Sequence, residues 1–240
     1  MTRTVVITGG GTGIGKAVAA SFAEAGDRVV ITGRRRDVLE NSLGVLRGNI
    51  TLACFDATNP EEVESFASTL GSLDVLVNNA GAQMDLDRAA SGSLASLAQG
   101  WRSNFEANVM PTILMTAAFE NKLNSAGSVI TIGSIAADQG SGSYGAAKAA
   151  IASWNVGLAK TLGPRGATAN VVAPGYIADT EFFRDKMSPN RRSALIAATL
   201  TGRAGLPNDI AATTYFLASR GARQITGQVI SVNGGARTTR

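Results

Sequence analysis

The sequence predicts an α/β protein, a single Rossmann-type doubly wound parallel sheet of about seven strands with helices on both faces. Three observations predict it. Short β-branched apolar runs alternate with helix-forming stretches along the whole chain. The first of these runs, Thr4-Val5-Val6-Ile7-Thr8, carries no charge, as a strand covered on both faces requires. It then passes through Gly9-Gly10-Gly11-Thr12-Gly13-Ile14-Gly15 straight into the helix-forming Lys16-Ala17-Val18-Ala19-Ala20.

The remaining elements follow the same alternation. Residues 28–33 read as a second strand and 35–46 as a helix ended by glycine. Residues 50–55 form a third strand, and a helix over 61–70 starts after Asn59-Pro60. A fourth strand is expected at 74–78, a long and mostly helical region at about 97–123, and a fifth strand at 128–133. A helix over 144–162, a strand at 168–173, a helix at 208–218 and a strand at 228–232 complete the series. The helix after Tyr144 is nearly apolar all round, which a one-faced surface helix would not be, so its second face is expected to meet another subunit. No repeat, linker or composition shift divides the 240 residues, so one domain, 1–240, is expected.

Composition narrows the function classes. The hydrophobic share is 45% and the charged share 17%, ordinary for a globular protein. There is no histidine, which removes imidazole bases, Ser-His-Asp triads and histidine metal sites, and no metal is expected. The single cysteine, Cys54, cannot form an internal disulfide and reads as a buried strand residue. No signal-peptide pattern and no run of eighteen apolar residues is found, so the expectation is a cytoplasmic protein without a membrane partner. No basic stripe interleaved with aromatics points to nucleic acid. The formal charge of +4 is modest. Its densest part is the segment from Glu181 to Arg203, where Arg184, Lys186, Arg191, Arg192 and Arg203 face only Glu181 and Asp185. A solvated helix surface is the plainer account of that segment, and a rim attracting an anionic substrate or carrier the sharper one.

In a doubly wound sheet the ligand crevice lies beyond the carboxyl ends of the strands, so chemistry is sought there. After the first strand, Gly9, Thr12, Gly13, Ile14 and Gly15 form a turn whose backbone amides and helix dipole suit a pyrophosphate. After the second come Arg34, Arg35 and Arg36. NAD sites usually place an acid here, whereas a 2′-phosphate wants arginine, so NADP(H) is preferred over NAD(H). Otherwise the arginines simply point into solvent. Asp56-Ala57 after the third strand suits an adenine amino group, or Asp56 caps the next turn. Asn78-Asn79-Ala80-Gly81 follows the fourth strand, and Ser134 the fifth. Tyr144 and Lys148 then project from one helix face. An ammonium about 5 Å from the phenol would interact by roughly 3 kcal/mol at an effective dielectric of about 20. The tyrosine pKa is therefore expected about two units below its usual 10.

Together these residues resemble the short-chain dehydrogenase/reductase family. The resemblance covers essentially the whole chain: Thr8-Gly9-x-x-x-Gly13-x-Gly15, Asn78-Asn79-Ala80-Gly81, Asn108, Ser134, Tyr144-x-x-x-Lys148, Asn170-Val171-Val172-Ala173-Pro174-Gly175, and Ile225-Thr226-Gly227-Gln228 through to Asn233-Gly234-Gly235. It implies that Tyr144 is the general acid/base, that Ser134 hydrogen-bonds the same substrate oxygen, and that Lys148 holds the nicotinamide ribose and depresses the tyrosine pKa. Asn108 would anchor a water leading from Lys148 to solvent, unless its amide bonds within its own helix; Ser134 could likewise be a simple strand-end turn residue. Asn79, Ala80 and Gly81 would border the cofactor, and so would Pro174, Gly175, Ile177 and Thr180. Residues 178–203 would form a mobile substrate lid. The loop from Ile135 to Ser143 is shorter than in many members, which implies a shorter pocket wall.

The implied activity is NADPH-dependent reduction of a ketone to a secondary alcohol, or the reverse, with 3-oxoacyl-acyl-carrier-protein as the substrate of the nearest members. A dehydrogenase of a sugar or other small alcohol is the enzymatic alternative, and an NADP-binding regulator the other class. The partners implied are a small-molecule or carrier-bound carbonyl compound and further copies of the chain, as a homotetramer or homodimer.

Overall fold

The structure, a computed structural model, describes residues 2–86, 93–183 and 186–238. Seven strands form one sheet: β1 (Thr4–Thr8), β2 (Arg28–Gly33), β3 (Ile50–Cys54), β4 (Leu73–Asn78), β5 (Leu123–Ile132), β6 (Thr168–Pro174) and β7 (Val229–Val232). Their order is β3-β2-β1-β4-β5-β6-β7, with every neighbouring pair parallel. The chain therefore winds outward from β1 in one direction and from β4 in the other. The gap above β1 and β4, where the direction reverses, is the switch point at which such sheets bind ligands.

Helices cover both faces because each strand alternates its side chains between them. Val5 and Ile7 pack with Val18 and Phe22 of α1 (Gly13–Glu24), Leu39 of α2 (Arg36–Leu43), and Ile210 and Leu217 of a late helix over Pro207–Leu217. Val6 and Leu76 face the other way, towards α3 (Pro60–Ser68), α5 (Met110–Glu120) and α6 (Gly142–Leu162), and α4 (Leu94–Asn108) packs on α5 and α6. On that side Val63, Phe66, Met115, Phe119, Leu158 and Leu162 form the core. Two shorter-range helices complete the set, α7 (Pro189–Ala197) and α8, the late helix of residues 207–217. Among the described residues no helix is long and apolar enough to cross a membrane.

The element borders depart from the sequence reading where local chemistry intervenes. The single helical region expected at 97–123 is two helices, α4 and α5, which break at Val109. Pro111 supplies the reason, since it has no N–H with which to continue the ladder of α4. The fifth strand begins five residues early, at Leu123, because its first pair is Leu73↔Leu123 before the register jumps to Val75↔Ser128. Ala126, at φ +59°, takes up the excess chain. The helix expected from Tyr144 starts at Gly142, whose φ is +60°. Cys54, expected to be buried, is half-buried at the end of β3. The Asn59-Pro60 start was legible: Asn59 Oδ1 accepts from the amides of Glu61 and Glu62, at 3.0 and 3.4 Å, in a cap of the kind that contributes about 1 kcal/mol.

Candidate active site

The glycine turn after β1 is built on left-handed backbone. Gly9 has φ +64° and Gly13 φ +50°, and a Cβ on Gly15 would stand 2.2 Å from the Gly9 carbonyl oxygen. The end of β4 laces this turn in place. Asn79 Nδ2 donates to the carbonyls of Thr8 and Gly9, at 3.0 Å each, and Thr8 Oγ1 accepts from the amides of Asn79 (3.0 Å) and Ala80 (2.9 Å). Thr12 occupies the N-cap of α1 but makes no side-chain capping bond, and no acid lies in the first turn. That open helix end borders a cleft of about 560 Å³, lined in part by Thr12, Gly13, Lys16, Thr180 and Glu181. Uncapped amides, the dipole's positive end and a neighbouring lysine fit the phosphates of a dinucleotide.

The three arginines after β2 stand exposed, each beside a carboxylate. Arg34 Nη1 lies 3.7 Å from Asp56 Oδ2, Arg35 donates to Glu181 Oε2 at 2.8 Å, and Arg36 lies 3.8 Å from Glu40. Asp56 caps its own turn, with Oδ1 accepting from Thr58 N and Oγ1 at 2.9 Å. Partial burial pushes its carboxyl up, but the Thr58 hydrogen bonds and Arg34 outweigh that and hold it below the usual value. Ala57, beside it, packs against the core on the α3 face.

Above β5 the structure brings the expected polar residues together. Ser134 caps a short 3₁₀ turn, its Oγ accepting from Ala136 N at 3.1 Å, and its hydroxyl lies close enough to Tyr144 to draw the phenol pKa down. Lys148, one turn further along α6, donates from Nζ to the Ile132 carbonyl at 3.0 Å and lies 5.9 Å from the centre of the Tyr144 ring. Gly81 is wedged beside both helices: a Cβ there would meet Asn108 Oδ1 at 2.6 Å and Lys148 Nζ at 3.3 Å. Asn108 does bond within its helix, to the Asn104 carbonyl at 2.9 Å, but it also grips Ala82 from both sides. Its Nδ2 donates to Ala82 O at 2.7 Å, and its Oδ1 accepts from Ala82 N at 3.2 Å.

One expectation is overturned here. The tyrosine pKa does not fall; burial pushes it up to about 12, against a smaller downward pull from the Ser134 hydrogen bond. Lys148 is equally deprived of water, and burial brings its ammonium down to about 8. The spacing argument placed the charge correctly but omitted desolvation, which at this depth is the larger effect.

The chain leaving β6 carries the remaining residues. Pro174 ends the strand, and Gly175 N donates to Val232 O at 3.3 Å. Ile177 is buried and bridges to Gly205, with Ala178 N donating to Gly205 O (2.9 Å) and Gly205 N to Tyr176 O (3.0 Å). The two ends of the expected lid are thus stitched together at its base. Asp179 follows at φ +56°, and Thr180 lies over Gly13 of the glycine turn. Within residues 178–203, Arg203 pairs with Asp209 at 2.7 Å, Lys186 donates to Leu86 O at 3.2 Å, and the Arg191 guanidinium lies 5.6 Å from the Phe183 ring centre. Arg184 and Asp185 of the basic segment lie outside the described residues.

Sequence reasoning missed two groups. Phe182 sets its ring 5.6 Å from that of Tyr144, a contact that no spacing rule connects across 38 residues. Asn104 Nδ2 bonds both Asp85 Oδ2 and Ser143 Oγ at 2.9 Å, tying α4 to the first turn of α6. Its position one turn before Asn108 was the available signal.

With this geometry in place, the similarities to known proteins can be read. A family profile described as "Enoyl-(Acyl carrier protein) reductase" matches residues 9–237. The 3-oxoacyl-[acyl-carrier-protein] reductase FabG of Rickettsia prowazekii (strain Madrid E) is 32% identical over 238 residues, which cover 97% of this chain and 96% of that protein. Among solved structures, a Brucella melitensis short-chain dehydrogenase/reductase titled glucose/ribitol dehydrogenase superposes with a TM-score of 0.89 at 29% identity, covering 99% of this chain and 97% of the other. A Burkholderia cenocepacia J2315 short-chain dehydrogenase in complex with NADP gives 0.85 at 30% identity, covering 98% and 97%. A serine, a tyrosine and a lysine gathered beside a glycine turn at the switch point, and likeness along nearly the full length, lead to one conclusion: the chain belongs to the short-chain dehydrogenase/reductase family of oxidoreductases acting on CH–OH groups.

Proposed function

We propose that this chain reduces a ketone to a secondary alcohol with NADPH, and that residues 178–203 form the lid of its substrate site within one dinucleotide-binding domain spanning 1–240. The observation that carries the reading is the gathering of Ser134 and Tyr144 beside Lys148, whose ammonium lies 5.9 Å from the Tyr144 ring centre, next to a glycine turn with uncapped amides. The dinucleotide, when bound, supplies the hydride. Gly9, Thr12, Gly13, Ile14 and Gly15 hold its pyrophosphate, Asn79 shapes that turn, and Ala80, Gly81, Pro174, Gly175, Ile177 and Thr180 border the nicotinamide end. Ser134 and Tyr144 hold the ketone oxygen between their hydroxyls, and Tyr144 gives it a proton. A phenol held near 12 is fully protonated at neutral pH, the state reduction needs. Lys148 carries the compensating charge, and Asn108 fixes the Ala82 backbone beside it.

Arg34 and Arg35 support NADP(H) over NAD(H), since both stand exposed where the 2′-phosphate would arrive and are held only by surface carboxylates. Likeness to 3-oxoacyl-carrier-protein reductases favours an acyl ketone as substrate. Docking of the carrier has thinner support: Lys122, the one base between Asn121 and Gly127, spends its ammonium on the carbonyls of Ala67 and Leu70. Leu94, Leu97, Trp101 and Phe105 make an exposed apolar stripe along α4, with Val156 exposed on α6, which supports a homodimer or homotetramer. A chain with a single cysteine suits the cytoplasm.

The test is NADPH consumption by the purified protein across a ketone panel, with Tyr144→Phe as control. The variant should lose at least about a hundredfold in kcat while binding NADPH as before. Full turnover by Tyr144→Phe would sink the reading.

A further inference from the structure

We propose that Phe182 sets the substrate class of this site, selecting ketones that bear an aryl or similarly flat apolar group on the carbonyl carbon. This rests on the reading above, in which Ser134 and Tyr144 hold the ketone oxygen. The chain is poor in aromatics, at 5%, yet four rings meet here in an unbroken row. Tyr144 and Phe182 are 5.6 Å apart between ring centres and tilted by 59°. Phe182 and Phe183 are 5.0 Å apart and perpendicular, at 88°, and Phe183 and Tyr176 are 6.0 Å apart. The Arg191 guanidinium over Phe183 ends the row.

Phe182 and Phe183 are half-buried and belong to neither apolar cluster that flanks the sheet, so the core does not account for their burial. Their backbone is held on the nucleotide side, where Glu181 pairs with Arg35, and at the lid base, where Ile177 bridges to Gly205. A ketone whose oxygen lies between the hydroxyls of Ser134 and Tyr144 must extend its substituent past the Tyr144 ring, within reach of Phe182. Rings in that position gain edge-to-face or offset contact with a flat apolar group. The hydroxyls of a sugar chain would instead lose water against carbon that offers no hydrogen bond. The row therefore favours an aryl ketone over a sugar.

The experiment compares kcat/KM with NADPH for propiophenone, butan-2-one and dihydroxyacetone in the wild-type protein, Phe182→Ala, Phe182→Leu and Phe182→Trp. The wild type should prefer propiophenone. Phe182→Ala should cut its advantage over butan-2-one about tenfold, mainly through KM, and Phe182→Trp should restore it. Phe182→Leu keeps most of the volume without the ring, and carries the test if thermal melting shows that the alanine variant does not fold. The proposal is overturned if Phe182→Ala lowers kcat/KM equally for both ketones, or if the wild type prefers dihydroxyacetone. A wild type that consumes NADPH with none of the three counts against ketone reduction itself. Calorimetric titration of 1-phenylethanol into the NADP⁺-loaded proteins then decides on Phe182 separately: about tenfold weaker binding in Phe182→Ala supports it, and equal binding overturns it.

Discussion

Lys148 keeps only 6% of its surface exposed, and its ammonium is brought from an ordinary 10.5 to about 8 by loss of water. The unfolded chain holds that proton to about 10.5 and the folded chain only to about 8, so between these values stability rises with pH. Below pH 8 the folded protein carries the whole cost, on the order of 3 kcal/mol. Lys148→Met should therefore melt higher than the wild type at pH 7, with the gain shrinking towards pH 10.5, even though it destroys activity. An unchanged melting temperature at pH 7 would mean that the ammonium is not dry. Tyr144 acts later and in the opposite sense: the folded phenol resists ionisation to about 12, so its contribution falls as pH rises above 10. The four-residue spacing made this pair legible in the sequence, because helical geometry alone puts both groups on one face. The direction of the tyrosine shift was not legible, because spacing reports which charges are near and says nothing of how much water they have lost.

At the scale of elements, the strand-turn-helix unit over β1 and α1 depends on one close backbone approach. Gly15→Ala would force a Cβ to 2.2 Å from Gly9 O, so the turn must open. We expect its affinity for NADPH to fall at least about tenfold in a fluorescence titration, as the amides lose their common aim. The short 3₁₀ turn Glu181–Phe183 makes the opposite kind of contact, one that invites competition. Arg35 cannot serve Glu181 and a 2′-phosphate equally, and an exposed ion pair contributes only about 0–1 kcal/mol. Glu181→Gln should accordingly tighten NADPH binding by about two- to fivefold and leave NADH binding unaltered; equal changes for both would show that the arginine does not discriminate. The glycine turn was readable from its residues. The Glu181–Phe183 turn was not, because its partners, Arg35 and Tyr144, are 146 and 38 residues away and belong to no periodic pattern.

For the whole molecule, the alternation of apolar runs and helical stretches was enough to place every strand, since a largely buried sheet leaves apolar, β-branched segments with charge only near their ends. What it blurred were borders set by single residues, such as Pro111 between α4 and α5 and Ala126 inside β5. The expectation of a subunit contact began from α6 and, by resemblance, included the helical region before it; among the described residues Leu94, Leu97, Trp101 and Phe105 put more of the exposed apolar surface on α4, with Val156 adding to it. Trp101→Glu places a charge in the middle of the stripe and should shift sedimentation to a smaller species, while the circular dichroism of the fold is retained. Sedimentation identical to wild type would assign assembly to another face.

The backbone pairing of Ile177 with Gly205 reaches beyond this one chain. Since the chain between Ile177 and Gly205 leaves the scaffold and rejoins it at adjacent points, its length and composition can drift without straining the sheet beneath. Evolution, or an engineer, can exchange the intervening stretch as a cassette and so acquire a new specificity, provided that the contacts of Thr180, Glu181 and Phe182 are kept.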